Sequence, residues 1–203
     1  MKKYSFRRLF WMIVGNAVLG IGIGFFKVSG MGNDPSSAMV MAVADRLTLP
    51  FSVTLIAFNA VWFLAELLWG RRYIGTGTFF NWFLVGPFTD LLVGFVQNHF
   101  TVPESFLPRF GIMFIGILIL GFGCSLYQTA DMGISPYDSH SIIFSERTGK
   151  RYFWVRIVND SLCVAAALAF GGLIGIGTLV CALGLGPFIT AFNPLAKKLI
   201  GEK

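Results

Sequence analysis

Charged residues are scarce in this chain, and their scarcity is the first constraint on its surroundings. Only 13% of the 203 residues are charged, whereas 55% are hydrophobic. A soluble domain of ordinary composition has roughly a quarter of its residues charged. The sequence therefore excludes an ordinary soluble domain and predicts an integral membrane protein whose main partner is the lipid bilayer.

Residues that build metal sites, disulfide frameworks or catalytic sets are also few. The chain has three cysteines, no CxxC pair and two histidines. Cys124, Cys163 and Cys181 lie in apolar segments, where a cysteine usually serves as a small buried hydrophobe. No phosphate-binding loop and no nucleophile–base pair is recognisable. We therefore expect no metal, no cofactor and no enzymatic activity.

The net charge of +6 has its own explanation in a membrane protein. Most basic residues cluster at the two termini and in two internal loops, which is how orientation in a bilayer is set. No basic face with interleaved aromatics exists outside the apolar runs, so no nucleic-acid partner is expected.

Six apolar runs approach the roughly 20 residues that a helix needs to cross a bilayer. The first is expected to be a transmembrane helix and not a cleaved signal peptide, because it continues without a small-residue cleavage site. Two further helical segments, 35–47 and 136–147, are too short and too polar to cross comfortably. The six long runs lie at about 9–29, 51–69, 74–96, 110–129, 152–170 and 173–193.

The two halves of the chain align with each other. "MGNDP" at Met31 matches "MGISP" at Met132, and "IGTGT" at Ile74 matches "IGIGT" at Ile174; both "GPF" motifs also align. These matches keep the same order at offsets of 101 and 100 residues. We therefore predict a first membrane repeat at 1–96, a linker at 97–109 and a second repeat at 110–203.

The charge pattern indicates how the two repeats are oriented. If only the six long runs cross, both termini and most Lys and Arg residues lie in the cytoplasm, as the positive-inside rule requires. Three crossings per repeat is an odd number, so the second repeat would be inverted, as in many transporters. The predicted fold is thus all-α and polytopic, with two inverted repeats of three transmembrane helices and one short half or re-entrant helix. Four crossings per repeat, giving two parallel halves, is the alternative.

The spaced Gly, Pro and Asn residues resemble those of a known family. "MGNDPSSAM", "LTLPFSVTLIAFNAVWFLAELLWGRRYIGTGT" and "GPFTDLL", together with the glycine-rich first helix, resemble the YczE/YyaS/YitT membrane proteins. The resemblance covers most of the chain. It implies a bacterial cytoplasmic (inner) membrane location, and it implies no substrate and no catalytic residue.

The repeated MGxxP turn predicts a helix stop followed at once by a helix start. Gly32 and Gly133 can end a helix in the left-handed conformation. Asp34 and Ser135 are then N-caps, with Pro35 and Pro136 at the first helical position. A helix N-terminus at membrane depth can bind an anion or a polar group. The alternative is that both turns lie at the membrane surface and only redirect the chain.

The candidate solute-binding residues surround these two helix starts. A Tyr-Asp-His group in the second copy could bind a solute or move a proton, unless it belongs to a solvated loop. The pair Arg156 and Asp160, four residues apart, is either structural or solute-contacting. The aligned pair Asn59 and Asn159 either joins helices or lines a cavity. The full set is Asp34, Ser36, Ser37, Asn59, Ser135, Tyr137, Asp138, His140, Arg156, Asn159 and Asp160, with Asp90 as a possible proton-coupling group.

Together these features predict a secondary transporter or permease for a small polar or anionic solute. The alternative is a membrane accessory or scaffold protein that assists another protein. A polar cavity between the two short helices is expected for the first class and a fully packed or lipid-filled interior for the second. The small size of the chain also makes a homodimer a reasonable expectation.

Overall fold

The structure is a computed structural model that describes residues 5–102 and 104–201. Within these ranges the chain folds into eight α-helices and one short 3-10 turn, Arg71–Tyr73, with no strand. Lys2, Lys3 and Lys203, which enter the charge argument, lie outside the described residues. The helices are α1 Phe6–Ser29, α2 Pro35–Leu47, α3 Phe51–Trp69, α4 Thr76–His99, α5 Phe106–Ala130, α6 Pro136–Thr148, α7 Tyr152–Ala169 and α8 Ile176–Ile200.

Six of these helices are long and apolar enough to cross a membrane, as the hydropathy pattern predicts. They are α1, α3, α4, α5, α7 and α8. Helices α2 and α6 have 13 residues each. At 1.5 Å per residue each is about 20 Å long, which is too short for a hydrocarbon core of about 30 Å.

The predicted linker is longer than the observed connection between α4 and α5. Helix α4 continues to His99 and α5 begins at Phe106. The linker is predicted to reach residue 109 because of its prolines. Pro108, however, lies in the first turn of α5, where a missing backbone N–H breaks no helical hydrogen bond.

Helices α1 and α5 form the centre of the molecule and pack closely along most of their lengths. Glycines on both helices permit this approach: a Cβ atom added at Gly22 would lie 2.7 Å from the Leu120 nitrogen, and one added at Gly123 would lie 2.5 Å from the Leu19 nitrogen. Helix α4 packs on α1, and α8 packs on α5. The short helices α2 and α6 each pack against both α3 and α7.

Each MGxxP turn is bonded to the aligned IGxGT segment of the other half of the chain. The Gly77 N–H donates to the Met132 carbonyl at 2.8 Å, and the Gly177 N–H donates to the Met31 carbonyl at 2.8 Å. Gly32 and Gly133 have φ angles of 93° and 123°, which glycine adopts without a Cβ clash. These two bonds hold the turns, and therefore the starts of α2 and α6, against the first turns of α8 and α4 respectively.

Candidate functional site

Both short helices begin at one partly open cavity of about 110 Å³. Their first turns form its polar wall, and apolar side chains of α1, α3, α4, α5 and α8 form most of the remainder. The two MGxxP turns thus deliver helix N-termini to a common cavity. The polar lining consists of Asp34, Ser36, Ser37, Asn59, Asn81, Ser135, Tyr137, Asp138 and Arg156.

Asp138 is held in the first turn of α6 by four polar contacts. The Ser135 hydroxyl caps the helix by accepting from the Asp138 N–H at 3.1 Å, and the same hydroxyl donates to Asp138 Oδ2 at 2.8 Å. The Tyr127 hydroxyl donates to the same oxygen at 2.6 Å. Arg156 Nη1 donates to Asp138 Oδ1 at 2.7 Å. Both carboxylate oxygens of Asp138 are therefore fully engaged.

Arg156 bridges two carboxylates and not only the one predicted four residues along its helix. Its Nε atom lies 3.1 Å from Asp160 Oδ1, so the predicted pair is present. The Tyr137 hydroxyl donates to the same oxygen of Asp160 at 2.5 Å, and the guanidinium carbon lies 4.8 Å from the Tyr137 ring centre. Burial alone would raise the pKa of Asp138, but the neighbouring Arg156 charge and the hydrogen bonds outweigh it and lower that pKa.

Asp34, at the start of α2, has a different environment from Asp138. Its Oδ1 atom accepts from the Ser37 N–H at 3.1 Å as the predicted N-cap. Its Oδ2 atom is buried and has no hydrogen-bond partner. Burial raises the pKa of Asp34, with Asp160 adding to the rise, while the Ser37 hydrogen bonds and Arg156 oppose it. The cavity therefore combines one guanidinium with the carboxyl groups of Asp34 and Asp138, of which Asp34 is the less compensated.

We predict that Asp34→Asn keeps the fold at neutral pH, whereas Asp34→Ala loses about 1 kcal/mol because asparagine still caps a helix and alanine does not. Because the pKa of Asp34 is raised in the folded protein, unfolding releases a proton at pH values above the ordinary aspartate pKa of 3.8. The stability that this group contributes therefore falls as pH rises from that value through the raised pKa. Asp34→Asn should remove that loss. Thermal unfolding in detergent from mildly acidic to neutral pH checks both statements. Equal stability of the alanine and asparagine variants would contradict the capping role.

Four predicted residues lie away from the cavity lining, and one of them, Asp160, reaches it only through its contacts with Arg156 and Tyr137. The His140 ring packs between Trp62 and Phe144, at centroid distances of 4.6 and 4.5 Å, so it does not join Tyr137 and Asp138 in one group. The Asn159 amide donates to the Ser141 hydroxyl at 3.4 Å, which joins α7 to α6. Asp90 Oδ2 accepts from the Ser52 N–H at 2.8 Å and so caps the start of α3.

The sequence interpretation did not include two asparagines and a tyrosine. Asn81 lines the cavity, and its amide donates to the buried Asn16 Oδ1 at 2.7 Å. Tyr127, fully buried, is bonded to Asp138 as described. An asparagine within an apolar run is a detectable signal, because buried amides in membrane helices need partners. Tyr127 had no such signal, because tyrosine is common in apolar segments.

No group of three or more His, Cys, Asp or Glu side chains able to hold a metal ion occurs within residues 5–102 and 104–201. The three cysteines are free and buried, as predicted. The polar groups that line the cavity are carboxyl, hydroxyl, amide and guanidinium groups.

Six apolar helices around a small polar cavity define a multi-pass membrane protein. The chain belongs to the family of unknown function DUF6198, whose sequence profile matches residues 6–194. The sequence motifs indicate similarity to YczE and YyaS. The family profile adds an assignment that covers nearly the whole chain.

Three relatives are similar over most of their lengths. An uncharacterized protein of Haemophilus influenzae is 26% identical over 188 residues, covering 90% of this chain and 82% of the relative. The uncharacterized membrane protein YczE of Bacillus subtilis is 24% identical, covering 98% and 92%. The uncharacterized protein YyaS of Bacillus subtilis is 22% identical, covering 91% and 92%. No solved structure matches the chain.

Proposed function

We propose that this protein is a secondary transporter or permease for a small polar solute in the bacterial cytoplasmic membrane. The observation that carries the proposal is the meeting of two half-length helices, through their N-termini, at one polar cavity. Short helices that begin at the middle of a bundle are a recurrent way to present backbone N–H groups to a solute. The alternative, an accessory or scaffold protein, predicts a fully packed interior. The presence of the cavity therefore favours the transporter over this alternative.

The proposed architecture has two inverted repeats around this cavity, with both termini in the cytoplasm. The reciprocal bonds from Gly77 to Met132 and from Gly177 to Met31 support it, because aligned segments make the same contact in opposite halves. The distribution of Lys and Arg supports the orientation. In such an arrangement α2 and α6 would lead to opposite membrane faces, as alternating access requires.

The cavity volume limits the size of the solute in this conformation. An engineered protein cavity of roughly 150 Å³ holds one benzene molecule. The present cavity, at about 110 Å³, therefore suits a solute of about five or fewer non-hydrogen atoms.

Charge favours a neutral polar or cationic solute over an anionic one. Arg156 already contacts Asp138 and Asp160, so its guanidinium is compensated. Asp34 adds a third carboxyl group with a free oxygen atom. An anion would have to displace one of these contacts, whereas a neutral donor or a cation can use the Asp34 oxygen directly. The amides of Asn59 and Asn81 would supply further hydrogen bonds.

Reconstituted vesicles test the proposal. Proteoliposomes are exposed to urea, acetamide or methylammonium, and light scattering or an internal pH dye follows entry. Wild-type protein should accelerate at least one solute over empty vesicles. Asp34→Ala and Asp160→Asn should slow it at least about fivefold, because loss of a buried polar contact costs about 1–3 kcal/mol.

Asp45→Asn is the matched control. Asp45 lies at the opposite end of α2, with its side chain 68% exposed, and should be dispensable for flux. Equal entry into empty vesicles and into vesicles with any of these proteins would refute transport of these solute classes. Loss of flux in Asp45→Asn equal to that in Asp34→Ala would remove the cavity from the mechanism.

A further inference from the structure

Glu66 is a carboxyl group inside the protein that the proposed solute site does not use. It lies on α3, is 0% exposed, and neither of its oxygen atoms has a hydrogen-bond partner among the described residues. The buried Ser139 side chain of α6 lies beside it, but the Ser139 hydroxyl donates to the Pro136 carbonyl at 3.0 Å. The nearby Ser139 hydroxyl favours the Glu66 anion, but its hydrogen atom is bonded to the Pro136 carbonyl, and burial between α3 and α6 outweighs this contribution.

The contact that encloses Glu66 is tight on both sides along α3. Trp62 packs on the His140 ring at 4.6 Å, and Gly70 approaches Ile143 so closely that a Cβ atom at Gly70 would overlap the Ile143 side chain. Both of these neighbours belong to α6. An ionised carboxylate in such a place, unpaired and without hydrogen bonds, costs many kcal/mol, so buried acids of this kind become neutral.

Packing alone does not require an acid at this position. In the sequence alignment of the two halves, Glu66 corresponds to Ala166 and Ser139 corresponds to Ala38. Ala38 is 2% exposed, so the first half fills the corresponding position of α2 with a methyl group. At the corresponding contact with α6, the first half instead places a titratable group, Glu66 of α3, against the short helix of the second half.

No charge from the packed elements compensates Glu66. On α6, burial lowers the pKa of His140, so this ring is neutral at neutral pH, and its Nδ1 atom also has no partner. The other titratable or charged groups on the elements around α3 are engaged elsewhere or belong to the cavity. On α4 and the 3-10 turn these are Asp90, His99, Arg71, Arg72 and Tyr73; on α6 and α2 they are Tyr137, Asp138, Glu146, Arg147, Asp34 and Asp45. Arg46, in the last turn of α2, is exposed.

We propose that Glu66 is a proton-binding site and that its proton holds α6 against α3. The protonated carboxylic acid is compatible with the closed contact. Release of the proton to solvent leaves a carboxylate that must reach water, which requires α6 to move away from α3. Because α6 carries Ser135, Tyr137 and Asp138, this movement would open one wall of the cavity. The inference concerns the α3–α6 contact and does not depend on the identity, or the existence, of a transported solute.

The proposed α3–α6 contact depends on pH in one direction. The closed state retains a proton that the open state releases, so acid favours closure and alkali favours opening. Each rise of one pH unit shifts the balance toward the open state by up to about tenfold, until the closed state also loses its proton.

Two measurements on protein in nanodiscs test the proposal. Infrared spectroscopy of protein made with heavy-carbon glutamate identifies protonated glutamic acids by the isotope shift of their C=O stretch. Hydrogen–deuterium exchange, corrected for intrinsic rates, follows peptides from α6 and from α2 as pH changes. We expect a protonated-glutamate band at neutral pH that Glu66→Gln removes. We also expect α6 exchange to rise with pH in wild type and to stay level in Glu66→Gln.

The chain offers two controls. Glu104→Gln replaces an exposed glutamate and should retain both signals. Helix α2 should show no comparable pH dependence, because alanine occupies the aligned position. Absence of an isotope-shifted band from wild type at neutral pH would overturn the proposal even if Glu66→Gln failed to fold. Identical pH dependence of α6 in wild type and Glu66→Gln would overturn it as well. Vesicle flux and these signals are independent, so either proposal can fail without the other.

Discussion

Replacing Arg156 with methionine is expected to destabilise the protein by about 3 kcal/mol, lowering Tm by roughly 6–12 °C for a chain of this length. Methionine approximates the length of the side chain but leaves Asp138 and Asp160 without their cation. The ion pairs are partly buried, and removing one partner leaves uncompensated charge, which is why the cost is large. Thermal unfolding can be followed with a thiol-reactive dye, because all three cysteines are buried in the folded protein.

The triple variant Arg156→Met, Asp138→Asn, Asp160→Asn separates charge from packing. It removes the two carboxylates together with the guanidinium, and the asparagines keep partial hydrogen bonding to Tyr127 and Tyr137. We expect it to recover most of the lost stability. If the single variant unfolds at the wild-type temperature, the network is not a stabilising element; if the triple variant is no better than the single one, charge is not the cause.

Gly133→Ala is expected to cost about 3–5 kcal/mol or to prevent accumulation of folded protein. The φ angle of 123° lies outside the regions open to alanine, and the added Cβ would lie 2.8 Å from the Gly75 nitrogen and Cα. Backbone strain and overpacking each cost about 1–3 kcal/mol, and here they act at one atom. Folded yield after size-exclusion chromatography and the Tm of the remaining protein measure the effect.

Gly149→Ala is the matched control for this turn. Gly149 also has a positive φ angle, 68°, but nothing lies within 4 Å of an added Cβ. It should therefore cost only the roughly 1–2 kcal/mol of a left-handed alanine. Similar losses in the two variants would mean that the contact between Gly133 and Gly75 does not hold the turn.

Local chemistry made much of the fold predictable. The six spans follow from the hydropathy of the runs, and α2 and α6 begin where an N-cap residue precedes proline. The Arg156–Asp160 contact follows from helical spacing, because residues four apart share a face. In each case the residues that decide the structure are neighbours in sequence.

The contacts around the cavity depend on tertiary packing and could not be predicted from local sequence. Arg156 contacts Asp138, 18 residues earlier, only because α6 and α7 pack together, and Tyr127 joins them from α5. Likewise, the close approach of α1 and α5 brings Leu19 and Leu120 to the same cavity as the two turns. Whether the MGxxP turns faced a cavity or a surface depended on these contacts, which no local pattern encodes.

The reciprocal bonding of the two turns also imposes an order on biosynthesis. The Met31 carbonyl finds its donor only when Gly177 has been made, long after α1 and α2 have left the ribosome. The Met132 carbonyl, in contrast, meets Gly77, which is already present when α5 emerges. The second turn can therefore close as it is synthesised, whereas the first must wait for α8. Assembly of the N-terminal half is thus completed last, by the C-terminal end of the chain.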